Sequence, residues 1–77
     1  MFGNKIIKTI FIEGMSCGHC SKRVEDTLKS IDGVKSVSVS LDEKKADIVL
    51  KTDVDNDILK TTVEDIGFSV IDIKIDN

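Results

Sequence analysis

The stretch VKSVSVSLDEKKADIVL, residues 34–50, decides the fold. Val37, Val39 and Leu41 alternate with Ser36, Ser38 and Ser40; after the polar connection Asp42-Glu43-Lys44-Lys45 the alternation resumes with Ala46, Ile48 and Leu50. Successive side chains of a strand point to opposite faces, so this pattern predicts two antiparallel strands, each with one apolar face, joined by a hairpin. On the N-terminal side, Val24, Leu28 and Ile31 recur at helical spacing among Lys22, Arg23, Glu25, Asp26 and Lys29, predicting an amphipathic helix of about three turns from Ser16. Asp32-Gly33 is expected to stop it, with Gly33 as the left-handed cap. Earlier still, Lys5 to Glu13 is rich in β-branched residues, with Ile6, Ile10 and Ile12 in phase, and reads as a strand ended by Gly14.

On the C-terminal side, Asp53, Asp55, Asn56 and Asp57 are N-cap candidates for a second helix, in which Ile58, Leu59, Thr62, Val63 and Ile66 share helical spacing. Gly67 ends that helix. Phe68 to Ile75 closes the chain as a strand, with Ile71, Ile73 and Ile75 expected on one face. The Ile31-Asp32-Gly33-Val34 that follows the first helix is echoed by Asp65-Ile66-Gly67-Phe68 after the second. Two interleaved β-α-β units with right-handed crossovers predict an α+β, ferredoxin-like β-α-β-β-α-β fold: a four-stranded antiparallel sheet with both helices on one face. That fold hosts many functions and decides none.

A chain of 77 residues, 40% hydrophobic and 32% charged, is expected to form one domain over residues 1–77, with its core at about 5–75. A core this small supplies roughly 3–5 kcal/mol and leaves no room for a deep catalytic cleft, so the expectation is a protein that is not an enzyme. The net charge of -3 argues against nucleic acid as a partner, because such partners demand a clustered basic face. The charge is uneven: Lys5, Lys8, Lys22, Arg23 and Lys29 outnumber the acids of residues 1–31, whereas only Lys60 and Lys74 offset seven acids in residues 53–77. The longest apolar runs, such as Ile10-Phe11-Ile12, fall far short of the roughly 18 residues that would insert in a membrane, and no secretory leader is evident. The expected location is cytoplasmic, where a Cys-x-x-Cys pair is catalytic or metal-binding rather than a structural staple.

The chemistry concentrates in Gly14-Met15-Ser16-Cys17-Gly18-His19-Cys20, between the first strand and first helix. Unsatisfied backbone N–H groups and the helix dipole favour negative charge there, and such positions lower thiol pKa values into roughly the 3.5–7.5 range. Two thiolates are soft ligands that select Cu(I) or similarly thiophilic ions. Structural Zn(II) takes four ligands, and the segment offers only Cys17, Cys20 and His19. A site with too few ligands to close leaves room for a partner's thiolates, which suits transfer better than storage.

The alternative is a thiol-disulfide oxidoreductase. Cys-Gly-His-Cys resembles the disulfide isomerases of the thioredoxin family, but the chain has no proline, Ser16 stands where that family has Trp, and the strand and helix order differs.

Over about Lys8 to Ile75, through Gly14-Met15-x-Cys17-x-x-Cys20, Asp32-Gly33-Val34 and Ile66-Gly67-Phe68, the sequence resembles the heavy-metal-associated domain family: small copper chaperones and the N-terminal domains of copper-transporting P-type ATPases. The resemblance implies that Cys17 and Cys20 bind one Cu(I) and pass it on by stepwise thiolate exchange. The implied partner is a copper-transporting P-type ATPase or a copper-responsive regulator, with the protein a monomer when metal-free and open to a metal-bridged dimer. Ser16 stands where members tuned to Zn(II), Cd(II) or Pb(II) often carry an acid, so copper is preferred; Hg(II) remains open, and Zn(II) binding in vitro with it. Around the cysteines, Gly18 and Ser16 shape the loop and His19 is a candidate modulator of the thiolates, its plainer role being a solvated loop residue. In members of this family the residue corresponding to Met15 packs inward beneath the loop. Phe68 is expected to face the metal loop; free bacterial chaperones often carry Tyr there and ATPase domains Phe. A chain that starts with Met and stops after one domain favours the free chaperone, and a domain cut from a transporter, or a mercury-binding relative, would read the same.

Overall fold

The computed structural model describes residues 6–15 and 18–76, in the order β1 (Ile6–Glu13), α1 (Gly18–Lys29), β2 (Val34–Ser40), β3 (Lys45–Leu50), α2 (Asn56–Asp65) and β4 (Ser69–Asp76). The strands form one antiparallel sheet in the order β2-β3-β1-β4. This is the ferredoxin-like arrangement expected from the sequence. Ile10 and Ile12 of β1, Ala46, Ile48 and Leu50 of β3, and Val34 and Val37 of β2 meet Val24 and Leu28 of α1 and Leu59 and Val63 of α2 in one core.

Three local expectations are corrected. Helix α1 ends at Lys29, and Ser30 and Ile31 continue in tight turns that donate to the Thr27 and Leu28 carbonyls. Gly33, at φ 99°, therefore serves the turn into β2 rather than capping the helix: a Cβ there would lie 2.6 Å from Thr52 Oγ1. In β4 the register slips opposite Phe11/Ile12, so Val70 pairs with Ile12, Ile73 with Ile10, and Ile71 is the extra residue. A bulge of this kind breaks strict alternation. Ile71 is accordingly exposed while Val70 packs against the core. None of the acids preceding α2 caps it through its side chain; Asp55 is the N-cap and only its carbonyl accepts, from Ile58 and Leu59.

Lys8 is in phase with Ile6, Ile10 and Ile12, and it is 3% exposed. A buried ammonium must be satisfied or it costs several kcal/mol. Its Nζ donates to the Val54 carbonyl at 2.6 Å and to Asn56 Oδ1 at 2.9 Å, and lies 3.5 Å from Asp53 Oδ1. The central strand is thereby fastened to the start of α2. Replacing Lys8 by Met keeps the aliphatic stem and removes the donors; urea unfolding should show a loss of about 2 kcal/mol. Lys22→Met, at an exposed surface pair, should cost no more than ~0.5 kcal/mol. Equal losses in the two variants would overturn the clamp.

Candidate metal centre

The candidate site stands where β1 ends. Glu13 pairs with Ser69, so the segment leaving β1 runs beside the start of β4. Gly14 follows at φ 104°, in the left-handed region that side chains avoid. Met15 then turns inward, 7% exposed, and joins the core. Ser16 and Cys17, both named from the sequence, lie outside the described residues. Helix α1 begins with Gly18 and His19, both exposed, and Cys20, half-buried and packed against the core from the helix's first turn. No acidic side chain stands in that first turn, where the helix dipole is positive.

The opposite wall comes from the end of α2. Gly67 N–H donates to the Glu64 carbonyl and Phe68 N–H to the Val63 carbonyl, with Gly67 at φ 98°. This pair of bonds is a Schellman closure, which reverses the chain and returns the next side chain to the protein. Phe68 is thus laid against the loop: a Cβ on Gly14 would lie 3.3 Å from Phe68 Cδ1. Cys20, Met15 and Phe68 therefore gather at one end of the molecule.

The other end differs in chemistry. Two concavities, of about 380 and 340 Å3, flank the start of α2 and share Asp53 and Asp55; the second also holds Lys8. Among the described residues no three His, Cys, Asp or Glu side chains converge as metal ligands. Asp53 faces an ammonium instead. Lys8 is the residue that sequence reasoning passed over, although its position within the apolar phase of β1 was a signal.

Residues 9–69 match the family model of the heavy-metal-associated domain. The chain belongs to this family. Over 65 residues it is 41% identical to the copper chaperone CopZ of Bacillus subtilis (strain 168), covering 84% of this chain and 86% of that relative. Among solved structures, a CopZ metallochaperone superposes with a TM-score of 0.79 at 36% identity, over 84% of this chain and 98% of that one. A copper-binding domain of the P-type ATPase HMA7 gives 0.75 at 32% identity, over 96% of each chain. The heavy-metal-associated fold is therefore shared with both kinds of relative, and no helix among the described residues is long and apolar enough to cross a membrane.

In this domain Gly14 and Phe68 are coupled by contact. Gly14→Ala should cost about 1–2 kcal/mol in thermal or urea unfolding, from the positive φ and from the ring beside it. In a Phe68→Ala background the penalty should shrink without vanishing, because only the contact is relieved. Strict additivity of the two substitutions would show that the ring does not press on the loop.

Proposed function

We propose that this chain is a cytoplasmic copper carrier, not an enzyme, in which Cys17 and Cys20 hold one Cu(I) and deliver it to a copper-transporting P-type ATPase. The observation that carries this reading is the placement of Cys20 in the first turn of α1, directly after the Gly14-Met15 turn, in a chain 41% identical to a copper chaperone. The α1 N-terminus stabilises thiolates, and thiolates prefer Cu(I) to harder cations. His19, exposed beside Cys20, adjusts the site from solvent; Met15 supports the loop from below, Ser16 and Gly18 shape it, and Phe68 walls its flank. Cargo held by two ligands passes onward when a partner thiolate adds as a third and one of the first two departs.

A second reading has its own support. A copper-binding domain of a P-type ATPase covers 96% of this chain, and the chain would then receive Cu(I) as a domain of the transporter. Transfer measured in both directions against a separate chaperone and a separate ATPase domain distinguishes the two roles.

Native mass spectrometry of the reduced, anaerobic protein, offered equimolar Cu(I), Zn(II) and Hg(II) against glutathione, should record one copper per chain. Cys17→Ser and Cys20→Ser should each abolish retention, and copper held by the double variant would sink the assignment. Mercury alone would redirect the function to mercury binding. No retained metal would bring the thiol-disulfide alternative forward.

Docking is assigned to the exposed start of α1. Lys22 and Arg23 are both exposed there, with Lys22 Nζ 3.7 Å from Asp26 Oδ1. Reversing both charges should slow transfer to an acidic partner by about tenfold at low salt and by less at high salt. An unchanged low-salt rate would place docking elsewhere.

A further inference from the structure

β4 is an outer strand of the sheet, bonded to β1 along one edge. Its other edge offers backbone groups to any strand of matching register. Along it stand Ile71 at 61% and Ile75 at 58% exposure, with Asp72 and Lys74 exposed between them. The Ile73 N–H is held at 2.9 Å by Asp72 Oδ1, the carboxylate of its own neighbour. That local bond occupies a donor at the centre of the strand.

We propose that β4 pairs antiparallel with β4 of a second copy of this chain, about a twofold axis at Ile73. In that register Asp72 faces Lys74 of the second copy, and symmetry repeats the pair. Opposite charges directly across an antiparallel ladder attract, and like charges repel. The neighbouring symmetric registers are disfavoured on the same grounds. Centring on Asp72 sets the two Asp72 carboxylates against each other, and centring on Lys74 sets the two ammonium groups against each other. A one-residue slip moves side chains to the wrong face. On pairing, the Ile73 N–H exchanges the Asp72 carboxylate for the second copy's backbone, and that carboxylate is released to Lys74 of the second copy.

The result is an eight-stranded sheet with its helices on one side. Because Glu13 pairs with Ser69 at the start of β4, antiparallel pairing sends the two candidate metal loops to opposite ends. Both stay open, and the association needs no metal. It is independent of the copper reading and distinct from a metal-bridged dimer, which brings the loops together. One short edge gives weak pairing, so the chain is a monomer when dilute and pairs as its concentration rises.

Sedimentation equilibrium of the reduced full chain with a chelator, from dilute to millimolar concentration, tests this. The parent should associate reversibly. Asp72→Lys and Lys74→Asp should each weaken self-association about tenfold, since two attractive pairs become repulsive. An equimolar mixture of the two variants should restore pairing, because one copy then carries only acids and the other only lysines at these positions; that recovery also shows both variants to be folded. A parent that stays monomeric throughout, or associates only with metal, overturns the proposal. So do variants that associate as the parent does, or a mixture that fails to pair.

Discussion

The structure depends on the double pairing of β1. It is bonded to β3 on one edge and to β4 on the other, and it is the strand whose C-terminal end opens into the candidate metal loop. A strand held on both edges cannot shift without breaking two ladders. Lys8 lies within it, and Gly14 directly follows its last residue, Glu13. Helix α2 is fastened to β1 at both points, through the Lys8 ammonium at its start and through Phe68 against Gly14 beyond its end. The loop therefore leaves a scaffold fixed in two places.

The two ends of that scaffold carry opposed chemistries. At one, a buried cation belongs to the chain itself and is met by a carbonyl, an amide oxygen and a carboxylate. Hard oxygen donors suit an ammonium, and nothing is left over there for a soft metal. At the other, half-buried Cys20 sits in the first turn of α1, which contains no acidic residue. Asp53 and Asp55 thus stand at the start of α2, and Cys20 and Phe68 at the opposite end of the scaffold.

The surface divides in a similar way. The start of α1 presents the exposed basic residues Lys22 and Arg23, the proposed docking face. β4 presents a self-complementary edge along the side of the sheet. Contacts at the two places do not compete, because pairing along β4 sends the loops apart.

Most of the element order was legible in the sequence, for a physical reason: period-two and period-3.6 patterns record which side of each element is buried. The residues 34–50 hairpin, the two helices and the Cys-x-x-Cys segment needed no tertiary information. What alternation could not show was its own interruption. The bulge that ejects Ile71 arises from the pairing of β4 with β1, and the close approach of Gly33 to Thr52 joins two loops distant in sequence. Lys8 looked like one more surface charge because its carbonyl and amide partners lie 46 and 48 residues away. The sequence by itself determined the order of the elements and the chemistry of the cysteine segment, since both follow from local pattern and residue type. Only the tertiary structure decided that the Phe68 ring stands beside Gly14 and that a buried ammonium anchors α2, because both require distant parts of the chain to be brought together.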